Sequence, residues 1–246
     1  MTREYNIGWD FSGNVGDPRK TSLKRLVEHK LGERAREVWP KILERYGDMI
    51  KQNGAEHGED AALLDLYNTL AELGVSKDDF REVAHKLLEE GLIRQGVIDA
   101  MIQLKEQGAR NIIVTKNLEE EVAEFARQIN ARAGLEVISG VVGVKGRYDT
   151  QGRLTGVEEL IGDKDGYIYG TPRVLKRDAV QREIQGSPLE GYVTDTGDKD
   201  IREVANTAVV IRSSVPFHEL DEYFQLSADP NTGNYQLKVM NDGAWN

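Results

Sequence analysis

The strongest constraint on the fold is an alternation of helical and strand patterns that begins at Gly91. Val97 to Gly108 repeats apolar residues at helical spacing, residues 111–114 form a β-branched apolar run, and Leu118 to Ala133 is helical again. Strands that alternate with helices of this length predict a mostly parallel sheet with right-handed crossovers. The fold class is therefore α/β, with this sheet as the core.

The same alternation continues towards the C-terminus. Turn residues around Gly152 predict a hairpin between Gly146 and Gly156. The further predicted elements are a strand over 137–144, a helix over 174–184, a strand over 191–193, a helix starting over 201–205 and a strand over 207–211. Residues 227–246 are polar and predict either a terminal hairpin or a loosely ordered tail.

A segment with a different residue pattern separates the first predicted strand from this alternation. A short buried strand is predicted at residues 5–10, and from about Lys20 to Glu90 the pattern is helical and heavily charged, with a polar stretch from Gly54 to Asp60 that indicates a loop. Ser76 followed by Asp79 is a helix N-cap pattern. We therefore predict a helical subdomain at 18–90 inserted into a core of residues 1–17 and 91–226, followed by a tail at 227–246.

Composition narrows the class of protein. The chain has 42 acidic residues against 32 Lys and Arg, a formal charge of −10 and no cysteine. Nucleic-acid backbones attract clustered basic residues, so an acid surplus argues against them as partners. Without cysteine there is no thiolate nucleophile, disulfide framework or iron–sulfur site. The sequence has no signal-peptide pattern and no membrane-spanning apolar run. We expect a cytoplasmic protein, a monomer or homodimer, that binds neither nucleic acid nor membranes.

Polar residues that directly follow the predicted strands are the candidates for chemistry, because ligands of such sheets bind beyond the carboxyl ends of the strands. Carboxylates, a hydroxyl and a lysine at this edge suit a phosphate and a hard divalent cation such as Mg²⁺, and a carboxylate can also act as a nucleophile. The candidates are Asp10, Ser12, Thr115, Lys116, Asn117, Asp195, Asp198 and Asp200. Lys176, on the first turns of the predicted helix at 174–184, can reach the same edge.

The order of these residues resembles the four motifs of the haloacid dehalogenase (HAD) superfamily. The quoted segments are Asp10-Phe-Ser12-Gly-Asn, Ile-Ile-Val-Thr115, Lys176, and Val-Thr-Asp195 followed by Asp200. The inserted helices look like a C1-type cap, and the region from Gly91 is most similar to phosphoserine-phosphatase-like members. The resemblance covers about residues 5–211 and implies a Rossmann-like core.

The resemblance also implies a role for each matching residue. Asp10 matches the nucleophile, Thr115 the hydroxyl that binds the phosphoryl group, and Lys176 the lysine that neutralises the phosphoryl oxygens. The implied Mg²⁺ ligands are Asp10, the carbonyl group of Ser12, Asp195 and Asp200 or Asp198. Substrate contacts are expected from Thr115, Lys116, Asn117 and Lys176, and Arg19 is a candidate for holding an anionic substrate.

One position departs from the family pattern. Phosphatases of the superfamily carry a second Asp two residues after the nucleophile, as the general acid and base, where this chain has Ser12. A serine hydroxyl cannot shuttle protons near pH 7, and such help is typically worth about 10²–10⁴-fold in rate. Serine at this position weakens turnover while leaving phosphate and metal binding intact.

These features predict a Mg²⁺-dependent HAD-like phosphatase that acts on a small phosphomonoester through an aspartyl-phosphate on Asp10. The alternative from another class is a catalytically impaired protein that binds a phosphorylated ligand or regulates a partner. A dehalogenase or phosphonate-cleaving enzyme is a third alternative, since those members also lack the second Asp. Phosphonate-cleaving members use a cap lysine, and nothing selects one among Lys20, Lys24, Lys30, Lys41 and Lys51.

Overall fold

A computed structural model describes residues 5–12, 15–16, 21–162, 164–194, 199–202, 204–210, 224–228 and 235–239. The described helices are α1 (Thr21–Leu31), α2 (Ala35–Glu72), α3 (Lys77–Glu89), α4 (Gln95–Glu106), α5 (Glu119–Ala133), α6 (Lys176–Glu183) and α7 (Lys199–Arg202). The described strands are β1 (Tyr5–Asp10), β2 (Ala109–Leu118), β3 (Gly140–Tyr148), β4 (Leu154–Gly162), β5 (Gly166–Ile168), β6 (Thr171–Leu175), β7 (Leu189–Thr194), β8 (Ala205–Val210), β9 (Phe224–Ala228) and β10 (Tyr235–Val239).

Eight of these strands form one sheet in the order β5-β6-β4-β3-β2-β1-β7-β8. Strands β3, β2, β1, β7 and β8 run parallel, with Asp10 of β1 opposite Val114 of β2. Strand β4 pairs antiparallel with β3 through the predicted hairpin and then parallel with β6. The prediction of an α/β fold around a mostly parallel sheet is confirmed.

The central strand β1 is buried because both its neighbours and the flanking helices cover it. Trp9 is fully buried, as its apolar context predicted, and its indole Nε1 donates a hydrogen bond to Asn111 Oδ1 at 3.1 Å. The Asn111 amide in turn donates to the carbonyl oxygens of Met101 and Val137, both at 2.9 Å. This satisfied polar network joins β1, β2 and α4 inside an otherwise apolar core.

Helices α1, α2 and α3, which we call the inserted helices, lie between β1 and α4 in the sequence. They pack on one another, and the contacts of α2 with β4 and of α3 with α5 attach them to the rest of the chain. The predicted cap of α3 is confirmed: Ser76 and Asp79 form a reciprocal capping box.

Several boundary predictions were wrong because contacts distant in sequence decide them. Residues 54–60, predicted as a loop, are helical apart from a bend at Gly54, and Asp60 within them is buried beside Arg173 of β6. Val174 was predicted in a helix but pairs with Ile161 of β4 in β6. Ala205, predicted in a helix, pairs with Leu189 in β8. The tail contains an antiparallel pair, β9 and β10.

The bend in α2 depends on a glycine. Gly54 has φ of 68° and ψ of −178°, a region of backbone conformation that is essentially restricted to glycine. Gly58 follows within one turn, and a Cβ at Gly58 would lie 2.5 Å from the carbonyl oxygen of Ile50, so the two halves of the helix approach closely at the bend.

We expect Gly54→Ala to lower the free energy of unfolding by about 1–3 kcal/mol, because alanine is strained in this conformation. Gly47→Ala, in the same helix, is the matched control: nothing lies within 4 Å of an added Cβ, so it should stabilise the protein by about 0.4–1 kcal/mol. Urea unfolding measures both values. A neutral Gly54→Ala variant would contradict the bend as described.

Candidate active site

Asp10 lies at the carboxyl end of the central strand, where a parallel sheet presents side chains to a ligand. Its side chain is buried, with 8% exposed. The Lys176 ammonium group donates a hydrogen bond to Asp10 Oδ1 at 3.0 Å, and the Lys176 side chain is only 5% exposed. Two opposite charges buried together favour each other's ionised form, so the site holds a carboxylate beside a fixed positive charge.

The chain brings this lysine to Asp10 by its topology. Lys176 is the first residue of α6, directly after β6, and lies 166 residues from Asp10 in the sequence. The first residues of a helix point their side chains back past its N-terminus. Lys176 therefore reaches the edge of the sheet where β1 ends.

Three further predicted residues meet at this edge. The Ser12 hydroxyl group donates to Asn117 Oδ1 at 3.1 Å, and the Thr115 hydroxyl group donates to the same oxygen at 3.3 Å. The main-chain N–H of Asn117 donates to Thr115 Oγ1 at 3.0 Å. Asn117 thus fixes the orientation of both hydroxyl groups, and Ser12 faces Asn117 through a neutral hydrogen bond.

Lys116, predicted to contact substrate, interacts with the inserted helices. Its ammonium group forms an ion pair with Glu59 at 3.1 Å, and its carbonyl oxygen accepts a hydrogen bond from the Tyr67 hydroxyl at 2.6 Å. The structure therefore places Lys116 where α2 covers the end of β2. Its substrate contact stays a prediction.

The predicted acidic motif is only partly described. Asp195, Asp198 and Arg19 lie outside the described residues. Asp200 Oδ2 accepts a hydrogen bond from the main-chain N–H of Arg177 at 3.1 Å, so this carboxylate binds the N-terminus of α6 and supports the helix that carries Lys176.

The donor set suits a hard cation. Within the described parts of the chain, no three His, Asp or Glu side chains cluster in a way that would hold a metal ion. The Asp10 carboxylate and the main-chain carbonyl of Ser12, two residues away, are nevertheless both oxygen donors of the kind that Mg²⁺ prefers, and Mg²⁺ usually takes only one or two carboxylates. The residues present fit Mg²⁺ with Asp195 as the further ligand that the sequence predicts.

Glu121 is a buried carboxyl group beside this site that the sequence analysis did not single out. It lies in the first turn of α5, is 1% exposed, and neighbours the side chains of Ser22 and Asn117. Among the described residues, neither of its carboxyl oxygens has a partner in full hydrogen-bond geometry. In the sequence, three successive Glu residues indicate only the favourable charge at a helix N-terminus, and nothing marks one of them as buried.

Burial raises the pKa of Glu121 from 4.5 to about 7, against the smaller opposing effects of Ser22 and Asn117. Burial, followed by the nearby charge of Glu121, also raises the pKa of Tyr67 well above its ordinary value. The cluster of Glu121, Tyr67, Ser22 and Asn117 therefore joins the inserted helices to the end of β2 around a group that is uncharged through much of the acidic range.

Three of the lysines considered for a phosphonate-cleaving reaction form ion pairs with carboxylates of the inserted helices. Lys24 pairs with Glu28, Lys30 with Asp79 and Lys51 with Asp48. Lys41 is exposed and Lys20 lies outside the described residues. No observation selects one of these five side chains for the site.

No protein-family model matches this sequence, and a search of curated proteins finds no match. Solved structures do resemble it. A protein of unknown function from Bordetella pertussis Tohama I has a TM-score of 0.59 and 16% identity over 85% of this chain and 90% of that one. A phosphoserine phosphohydrolase-like protein from Francisella tularensis subsp. tularensis SCHU S4 has a TM-score of 0.51 and 16% identity, over 84% and 86%.

A third similar structure is cytosolic 5′-nucleotidase IIIB bound to cytidine, with a TM-score of 0.54 and 14% identity over 86% of this chain and 73% of that one. The chain shares with these structures a Rossmann-like α/β fold built on a mostly parallel sheet. At identities of 14–16%, the likeness is one of fold, and it confirms the fold that the four motifs implied. Among the described residues, no helix is both long and apolar enough to cross a membrane.

The raised pKa of Glu121 predicts how stability depends on pH. Between pH 4.5 and 7 the unfolded chain loses the proton that the folded protein keeps, so the stability that the neutral carboxyl contributes falls as pH rises through this window. The full difference corresponds to about 3 kcal/mol. Glu121→Gln, which is neutral at every pH, should therefore be up to about 3 kcal/mol more stable than the parent at pH 8 and similar to it at pH 4.5.

Denaturant unfolding at several pH values measures this difference. Glu120→Gln is the control on the same turn, because Glu120 pairs with Lys77 and Arg127 and its loss should give no gain at pH 8. A Glu121→Gln variant that is no more stable than the parent at pH 8 would argue against a buried, unpaired carboxyl group at this position.

Proposed function

We propose that this protein is a Mg²⁺-dependent phosphatase that hydrolyses a small phosphomonoester through an aspartyl-phosphate on Asp10. The observation that supports it most is the buried pair of Asp10 and Lys176 at the carboxyl edge of the sheet, 3.0 Å apart, with Thr115 in the adjacent strand β2 directly after Val114, the register partner of Asp10. Solved structures of this fold include a phosphoserine phosphohydrolase-like protein and a 5′-nucleotidase, which is consistent with this class of substrate.

In the first half of the reaction, the Asp10 carboxylate attacks the phosphorus atom, the bond between phosphorus and the ester oxygen breaks, and the leaving oxygen takes a proton from a water molecule. Lys176 balances the negative charge of the nucleophile and of the phosphoryl oxygens without needing to move, since it is already held at Asp10. Thr115, oriented by Asn117, turns its hydroxyl proton to a phosphoryl oxygen. The expected metal ligands are Asp10, the carbonyl group of Ser12, Asp195 and Asp200. Bound Mg²⁺ supplies further positive charge to the transferring group.

In the second half, a water molecule attacks the phosphorus of the aspartyl-phosphate, the bond between phosphorus and the Asp10 oxygen breaks, and the protons of the water leave with the released phosphate, which restores the carboxylate. Ser12 cannot accept the proton of this water, because its hydroxyl group has no accessible pKa near neutrality and already donates to Asn117. Hydrolysis is therefore expected to be slow compared with that of an enzyme that carries a carboxylate at this position.

The inserted helices are proposed to act as the cap, over residues 18–90. Glu59 and Tyr67 of α2 contact Lys116 at the end of β2, so these helices already border the edge where the substrate would bind. Covering this edge excludes water other than the attacking molecule and lets cap residues choose the substrate. Arg19, which precedes α1, stays a candidate for binding an anionic group of that substrate.

Ser12 favours one second candidate, a protein that binds a phosphorylated ligand and turns it over poorly or not at all. The hydroxyl group of Ser12 contacts a neutral amide and supplies no acid or base. Asp10 and Lys176 would still form a phosphate site.

A phosphomonoester panel with Mg²⁺ separates the two functions. For the proposed phosphatase, the parent protein turns over at least one ester, Asp10→Asn lowers kcat by about 10³-fold or more, and Ser12→Asp raises it by about 10²–10⁴-fold through general acid–base help. Release of inorganic phosphate measures the rate, and trapping of a phosphoprotein measures the intermediate.

Glu106→Gln, in the last turn of α4 and away from this edge, should leave the rate unchanged. An inert parent protein that gains turnover on Ser12→Asp would establish the binding function instead. Activity that persists in Asp10→Asn would rule out Asp10 as the nucleophile.

A further inference from the structure

A second buried ion pair connects the inserted helices to the strand that leads to Lys176. Arg173 Nη1 of β6 donates to Asp60 Oδ2 of α2 at 2.9 Å, and the two side chains are 3% and 1% exposed. The same Nη1 lies 3.1 Å from His57 Nδ1. Because guanidinium groups only donate, His57 Nδ1 is the acceptor when this contact is a hydrogen bond.

The surroundings of this pair are closely packed. A Cβ atom at Gly162 would lie 2.6 Å from both Arg173 Cδ and Asp60 Oδ2, so only glycine leaves room for the pair at this point of β4. Gly162 is also the register partner of Leu175, the residue directly before Lys176. The ion pair therefore lies against the same few residues of β4 and β6 that place the lysine.

Arg173 and Lys176 belong to one short, continuous piece of chain. Strand β6 has five residues, and Lys176 follows its last residue, about 10 Å from Arg173 along an extended chain. Strand β6 pairs with β4 on one side and with the three-residue β5 on the other. A strand so close to the edge of the sheet has few backbone contacts to define its position, and the buried arginine adds a directional one.

The same helix contacts the sheet at two places, at β6 and at β2, which lie on the same side of β1. His57 and Asp60 reach Arg173 of β6, and Asn53, before the bend at Gly54, accepts a hydrogen bond from the hydroxyl group of Tyr169, between β5 and β6, at 2.6 Å. Glu59 and Tyr67 reach Lys116 at the end of β2. Packing of α2 on the sheet therefore fixes both β6, which leads to Lys176, and the end of β2, which carries Thr115.

A gain in the free energy of unfolding does not by itself explain why the ion pair of Asp60 and Arg173 is buried here. Transferring two charges from water to the interior costs much of what their attraction returns, and a well-packed apolar pair often stabilises a protein as well or better. What an ion pair with hydrogen bonds adds over an apolar contact is direction: it favours one relative placement of α2 and β6.

We propose that Asp60 and Arg173 are positioning residues which hold Lys176 at its contact with Asp10 whenever the inserted helices are seated on the sheet. The proposal rests on the proposed function only in treating Asp10 and Lys176 as the reacting groups. The Lys176 ammonium group then lies beside Asp10 only while the inserted helices pack on the sheet. When Asp60 separates from Arg173, strand β6, which leads to Lys176, is no longer held in place.

The decisive variant is the double substitution Asp60→Leu with Arg173→Met, compared with Asp60→Asn alone. Asp60→Asn leaves a buried arginine without its counter-ion and should lower both the Tm and kcat. The double variant replaces the charges with apolar side chains and should recover the parent Tm. If the pair positions Lys176, kcat stays about 10²-fold below the parent with KM changed less than about threefold, since a displacement of about 1 Å costs about that much.

A second readout does not depend on turnover. Lys176 is shielded and bound to Asp10, so its labelling by an amine-reactive reagent, followed by peptide mass spectrometry, should be slow in the parent and at least about tenfold faster in the double variant. The control is Glu159→Gln, which breaks an exposed pair between β4 and Arg182 of α6, the helix that carries Lys176. It should leave kcat within about twofold and labelling unchanged.

The outcomes separate this inference from the proposed function. Faster labelling of Lys176 in the stable double variant supports positioning even if the parent protein hydrolyses no ester. A double variant with the parent's Tm, kcat and labelling rate shows that the pair has a structural role only and overturns the inference. An equal loss in Glu159→Gln overturns it as well, because any contact of this region would then have the same effect.

Discussion

The ion pair between Lys176 and Asp10 is the contact on which the rest of the architecture depends. Both side chains are almost completely buried, and a buried charge is tolerated only beside its partner, so the chain must bring two residues 166 positions apart to within 3.0 Å. In the sheet, β2, β3 and β4 separate β1 from β6. Helix α6 follows β6 and brings Lys176 back to the edge where β1 ends. Asp200 at the N-terminus of α6 completes the placement of the lysine.

Polar groups around this pair connect the core to the inserted helices instead of facing water. Asn117 orders the hydroxyl groups of Ser12 and Thr115, Lys116 is bound by two residues of α2, and Asp60 reaches Arg173. The candidate site is therefore formed by the carboxyl ends of the strands and is bordered on one side by the bent helix α2. Substrate choice and access to water would both be set where that helix meets the sheet.

Much of the fold and of the candidate site could be predicted from local signals. Helical and strand periodicity predicted the α/β class, and the Ser76 capping pattern marked the start of α3. Asp10, Thr115 and Asn117 were identifiable because they lie at the predicted ends of strands, and Lys176 because it begins a helix whose start faces the same edge, where the structure brings them together. Strands β5 and β6 were missed, since they are short and owe their conformation to pairing with β4 and each other. The polar segment at 54–60 was mistaken for a loop because its buried contacts involve residues more than a hundred positions away.

The sequence by itself determined the alternating α/β pattern, the polar residues at the strand ends and the serine at position 12, because these depend on residue type and short spacing. Only the tertiary structure decided that Asp60 and Arg173 are paired inside the protein, that Lys116 belongs to the contact with α2, and that Glu121 is the buried member of three successive glutamates. The physical reason is that burial belongs to the assembled layers of the fold. A charged residue looks the same in the sequence whether its partner is water or a side chain brought to it by a distant strand.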